Sequence, residues 1–154
     1  MLKGILAGLV AALVLGLGLA ATRHSTLDAA SYTPDQWKAW SYACTLSAYS
    51  CRGVEPPPIV TTKYLEKSSV LGLNFWQSDT VYVTTGLDRG MYIAVLAHEM
   101  THYLQTHVAH LVVDNGLANC LAEYEAFEVS DKVLTDLGLA SKRRNGDLKK
   151  GYGC

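Results

Sequence analysis

The apolar run Ile93-Ala94-Val95-Leu96-Ala97 leads directly into His98-Glu99-Met100-Thr101-His102, and Tyr103-Leu104 resumes it. No other feature limits the fold as much. A helix with such flanks is buried. A buried helix that carries two imidazoles and a carboxylate needs partners for them, since an unpaired polar group in an apolar interior costs roughly 2–7 kcal/mol. The spacing says what kind of partner. Residues four apart lie on one helical face, about 40° from each other around the axis. His98 and His102 can therefore hold one metal ion through ring nitrogen. Glu99 lies about 100° from His98, beside the pair. From there a carboxylate reaches a metal-activated water without occupying the metal, which suits a general base.

A third ligand has to come from elsewhere. The metzincin pattern places a glycine at position 105 and a histidine at position 108, and Gln105 and Val108 exclude that class. His107 and His110 lie about 180° and 120° around the helix from His98 and read as surface or packing histidines. A second helix, expected over 117–137, offers Glu123, Glu125 and Glu128. At 100° per residue, Glu123 falls in the middle of the mostly apolar stripe of Cys120, Phe127, Ser130, Leu134 and Leu137. Glu125 falls beside Lys132 and Asp136. Glu128 falls at the edge of the polar side, where it can also support Lys132 at i,i+4. A carboxylate centred on a buried face is costly unless paired or metal-bound, so Glu123 is the expected ligand. Glu125 and Glu128 read as solvated.

His98-Glu99-x-x-His102, a break, then Glu123-Tyr124-Glu125-Ala126 on a following helix resembles the gluzincin branch of zinc metallopeptidases. Members take two histidines from H-E-x-x-H and a glutamate from an E-x-x-A/S segment. The resemblance spans about 80–137. It implies a small zincin-like α+β domain, with a short β-sheet packed on the H-E-x-x-H helix and on the following Glu-bearing helix. It implies Zn²⁺ held by His98, His102 and Glu123, with Glu99 as general base in peptide-bond hydrolysis. Members often carry an aspartate four residues after the ligand glutamate, behind the first histidine. This chain has Phe127 there, and Asp131 is the nearest substitute in angle. Members also add a Tyr or His that stabilises the oxyanion, and Tyr64, Tyr82, Tyr92, Tyr103 and Tyr124 are candidates. A zincin further uses an edge strand to pair with extended substrate, and Thr80-Val81-Tyr82-Val83-Thr84 reads as that strand or as an ordinary interior one.

The rest of the chain supplies a frame. Thr33 and Pro34 suit the N-cap and first position of a helix running to about Ser50. Arg52-Gly53 and Pro56-Pro57-Pro58 end it. Strands are expected over 59–62, 71–76 and 80–85, then a turn over 86–90 and the H-E-x-x-H helix from about Met91 to Val113. Asp114-Asn115-Gly116 supplies a break, and Gly138 a C-terminal cap after the last helix. Residues 22–32 read as a short linker.

Residues 4–21 carry no charge, with Lys3 before them and Arg23 after. A basic residue, an apolar core and small residues at the end form a secretory signal peptide. The rival is a retained membrane anchor, as 18 residues of helix reach about 27 Å of a roughly 30 Å bilayer core. Either sends the domain 22–154 across the membrane, to the periplasm or the exterior, tethered or free. Outside the cytosol thiols tend to pair. Cys44, Cys51, Cys120 and Cys154 allow three connectivities, of which Cys44–Cys51 and Cys120–Cys154 are the simplest. Free buried thiols are the alternative.

The whole chain has 154 residues and a net charge of −1, and 49% of it is hydrophobic, which excludes a disordered chain and a basic nucleic-acid binder. No Gly-rich phosphate loop is present, and Lys142-Arg143-Arg144 reads as a solvated tail. The expected partner is therefore a peptide or protein substrate. Two other readings compete: an exported or tethered zinc-binding module without catalysis, and a helical domain whose histidines pack without metal.

Overall fold

The computed structural model describes residues 31–65, 70–75, 79–111 and 117–139. Together they form a small α+β unit in the order α1 (Pro34–Leu46), β1 (Ile59–Thr62), β2 (Gly72–Phe75), β3 (Thr80–Thr84), α2 (Arg89–His107) and α3 (Leu117–Asp136). Among the described residues no helix is long and apolar enough to cross a membrane. The charge-free run 4–21 and the basic tail lie outside them.

Helix α1 starts where Thr33 and Pro34 require. The Thr33 hydroxyl accepts from Gln36 N at 3.3 Å, and Gln36 Oε1 accepts from Thr33 N at 2.7 Å. This capping box satisfies two donors that a helix start would otherwise leave unpaired. The helix ends at Leu46, four residues before the expected Ser50. Ser47 turns extended there, and the chain folds back so that Cys51 bonds Cys44. Cys120 is also disulfide-bonded; its expected partner Cys154 lies outside the described residues. The supposed linker does not reach Tyr32, which is buried in the core and donates its hydroxyl to the Pro57 carbonyl.

Helix α2 is the axis of the molecule. Ile93, Leu96, Ala97, Met100 and Leu104 are fully buried on it. Ala39, Trp40 and Ala43 of α1 pack on one side, Val129 and Val133 of α3 on another, and Ile59, Val81 and Val83 of the sheet on a third. It begins two residues before the expected Met91, because the Asp88 side chain accepts from Met91 N at 2.9 Å and caps the helix there. It ends at His107, well before Val113: His110 takes a left-handed φ of 50°, and Leu111 N donates to Gln105 O at 3.1 Å. Helix α3 closes as its sequence predicts. Gly138 has φ 70°, and Leu139 N donates to Leu134 O at 2.8 Å, the arrangement in which glycine bears no Cβ penalty.

The sheet order is β1-β3-β2, with β1 parallel and β2 antiparallel to β3. Thr80–Thr84 is thus the central strand, not the edge strand of the zincin expectation. Its residues are buried on both faces apart from partly exposed Tyr82, as a strand with a neighbour on each side must be. The edge nearest α2 is β2. Thr84 N donates to Leu71 O at 2.8 Å, and antiparallel alternation then turns the backbone groups of Gly72 and Asn74 away from β3.

Leu96→Ala removes a fully buried side chain from the centre of this packing. It should lower unfolding free energy by about 2–5 kcal/mol, read as a reduced urea midpoint at unchanged slope.

Candidate metal centre

Helix α2 presents His98 and His102 on one face, and α3 brings Glu123 against them. The two Nε2 atoms are 3.1 Å apart, and Glu123 Oε2 lies 3.4 Å from that of His98 and 3.5 Å from that of His102. Among the described residues these three form the one group able to hold a metal ion. The three side chains are only 12%, 14% and 18% exposed.

The donor set fits a cation. Tetrahedral zinc bonded at about 2.0–2.2 Å to nitrogen and oxygen sets its ligand atoms about 3.3–3.6 Å apart, close to the edges of this triangle. Glu123 Oε2 is buried and has no hydrogen bond of good geometry. A carboxylate oxygen so placed is costly without a positive partner. Burial pushes the Glu123 carboxyl up, but the imidazoles of His102 and His98 outweigh it and hold it at about 2.

Glu99 sits beside the cluster and is also buried. Its Oε2 accepts from Asn74 N of β2 at 2.7 Å. Burial pushes this carboxyl up, against the pull of His98 and His102 and of the Asn74 N–H. Two carboxylates that interact with the same imidazoles are therefore driven in opposite directions by their surroundings. Gly72 makes the close approach of β2 possible. A Cβ there would lie 2.6 Å from Glu99 Cγ and 2.7 Å from Val95 Cγ1.

Each imidazole is held from behind. Phe127 packs its ring on His98, centroids 4.4 Å apart at 60°; an apolar contact stands where the family pattern has an aspartate. His102 Nδ1 lies 2.7 Å from Gln105 Oε1. Gln105 is fully buried, and its amide nitrogen donates to Ala122 O and to Glu125 Oε2, both at 2.9 Å. Glu125 also accepts from Ala48 N at 2.7 Å. Glu125 is thus half-buried and bonded through both oxygens, where the sequence predicts a freely solvated side chain. The loop after α1 covers the side of α3 that a helical wheel leaves to water. Glu128 is exposed as expected.

The triad, Glu99 and Asn74 line an open cleft of about 770 Å³, together with Leu73, Thr106, His107 and His110. His107 and His110 stay out of the triad, as their angles require, but both face the cleft. His107 stacks on Tyr103 at 4.0 Å, and its Nε2 lies 3.1 Å from Asp79 Oδ1. None of the five tyrosines named from the sequence lines the cleft. Tyr92 is bonded to Gln36 in the α1–α2 seam, Tyr103 donates to Glu55 O, and Tyr64 and Tyr124 are exposed. The sequence reading missed Gly72 and Gln105. The signal for Gln105 was its place three residues after His102, inside an apolar helix.

No known protein family, characterised protein or solved structure matches the chain.

Gly72→Ala should cost about 1–3 kcal/mol through overpacking against Glu99 and Val95, read in denaturant. The donor triangle has its own test. Zinc should raise the melting temperature of metal-free wild type, but not that of His98→Ala or Glu123→Ala, since only a ligand bound to the folded state shifts unfolding.

Proposed function

We propose that the chain is an exported zinc metallopeptidase of the gluzincin type, with the metal held by His98, His102 and Glu123 and with Glu99 as general base. The observation that carries this reading is the triangle of donor atoms with a buried carboxylate at its side. The alternative without metal leaves the buried Glu123 Oε2 only two imidazole contacts of 3.4 and 3.5 Å, with no hydrogen bond of good geometry.

A zinc ion held by His98, His102 and Glu123 would supply Lewis acidity, polarising a carbonyl and lowering the pKa of water toward neutrality. The chain's own residues do the rest. Glu99, anchored by the Asn74 N–H, takes a proton from the attacking water and returns it to the leaving amine. Strand β2 turns the backbone groups of Gly72 and the Asn74 carbonyl along the cleft, which suits pairing with an extended peptide, while the Asn74 N–H stays on Glu99. This gives β2 the role that one of the two sequence readings puts on Thr80–Thr84, which is the interior strand. Leu73 places an apolar surface beside the bound chain. Of the histidines that line the cleft, His110 would offer a ring N–H to the developing oxyanion; both ring nitrogens of His107 are engaged, Nε2 with Asp79 and Nδ1 with Tyr103 O. An apolar leader or anchor at 4–21, outside the described residues, supports export, and the Cys44–Cys51 disulfide is consistent with an oxidising compartment.

Glu99→Gln should keep one equivalent of zinc and lower peptide hydrolysis about 10²–10⁴-fold, measured on a mixed peptide library beside metal analysis. Full activity in this variant would sink the general-base role. Zinc bound to wild type with no cleavage in the library would favour the non-catalytic zinc-binding module.

A further inference from the structure

The hydrogen bonds behind His102 do not stop at the metal centre. They run from His102 Nδ1 to Gln105, from Gln105 to Glu125, and from Glu125 to Ala48 N. Ala48 lies in the segment that the Cys44–Cys51 disulfide closes. A line of four residues therefore connects a buried imidazole on α2, through α3, to a cross-linked loop at the end of α1.

Each link has a fixed direction. Both acceptors that face the Gln105 amide nitrogen, Ala122 O and Glu125 Oε2, can only accept. The Gln105 amide cannot flip without setting its oxygen against them. Its Oε1 must then face His102, so His102 carries its proton on Nδ1. Neutral imidazole in water prefers the proton on Nε2, where it would point into the triad and block the lone pair. Gln105 reverses that preference. Glu125 in turn keeps its position because donors from two elements hold its two oxygens.

We propose that Gln105 and Glu125 are positioning residues that hold His102 in the tautomer able to bind a cation, and that the disulfide-closed loop Cys44–Cys51 is their anchor. Cation affinity at the triad then depends on a cross-link in a different element. The inference rests on the metal-centre reading given above, but not on peptide cleavage. Partners behind metal-bound histidines typically govern affinity by 10–100-fold.

The test uses the full chain in two states. Without metal, nitrogen-resolved NMR at mildly alkaline pH reads the His102 tautomer; with metal, chelator competition reads zinc affinity. Wild type should show the Nδ1–H form. Gln105→Met removes the acceptor that faces His102 Nδ1, so it should shift His102 toward Nε2–H and weaken zinc binding about 10–100-fold. Glu125→Ala leaves the Gln105 amide nitrogen only Ala122 O and breaks the line to Ala48 N, so it should move both readings in the same direction. Cys44→Ser/Cys51→Ser should move them in the direction of Glu125→Ala. Wild-type tautomer and affinity in Gln105→Met, in Glu125→Ala or in the double serine variant would overturn the proposal. So would a loss of affinity with the Nδ1–H form kept, which is the result expected of a merely structural role. If Glu125→Ala does not fold, Gln105→Met decides by the same reading. The tautomer is measured without metal, so it separates failure of this inference from failure of the peptidase reading.

Discussion

The structure depends on one electrostatic arrangement: two imidazoles and a carboxylate gathered at the buried seam between α2 and α3. An apolar helix pair could pack more cheaply with leucines at these positions. His98, His102 and Glu123 sit there at a cost in desolvation, which for Glu123 the two imidazoles outweigh. The surroundings are built to contain that cost. Phe127 closes one side against His98, Gln105 satisfies the far nitrogen of His102, and Gly72 lets β2 come close enough for Asn74 to bond Glu99. Little of this would be needed for stability alone.

The same arrangement explains the role of the sheet. With three strands and one buried face against α2, the sheet contributes Ile59, Val81 and Val83 to the core. Its antiparallel edge strand contributes almost no apolar burial: Leu73 and Phe75 are exposed, and Gly72 and Asn74 face α2. Strand β2 is held by its ladder to β3 and by one bond to Glu99. Its place in the molecule is accounted for by the cleft it borders more than by the core.

The parts of the fold legible in sequence are those set by local periodicity. His98, His102 and Glu123 follow from angles around two helices, and the Thr33 and Gly138 caps follow from residue chemistry at helix ends. Long-range pairing has no such signal. The residues of Thr80–Thr84 suit an edge or a centre equally, and only the arrival of β1 and β2 on either side decides it. Glu125 shows the same limit. Its angle places it with Lys132 and Asp136, on a face that a single helix gives to water, but the loop after α1 returns across 77 residues of sequence to cover it. Gln105 was more open to inference, since a buried amide three residues after a metal-type histidine lies within reach of its ring.

Stability and the site share one interface. The α2–α3 seam carries Leu104, Ala126 and Val129 of the core, and it carries the triad. Whatever holds the two helices in register also sets the donor triangle to within a few tenths of an ångström, and a cation accepted by that triangle would tie α2 to α3 in return. Binding energy at such a site is folding energy. A short chain with few core residues gains more from this than a large one does, because each cross-link replaces burial it lacks. The Cys44–Cys51 bond works on the same principle at the other end of the hydrogen-bonded line. The covalent bridge closes α1's loop, Ala48 N of that loop bonds Glu125 of α3, and the triad spans α3 and α2. The Ala48–Glu125 hydrogen bond thus adds a polar link between α1's loop and α3, and a cation at the triad would add one between α3 and α2, to helices that already pack on a common apolar core.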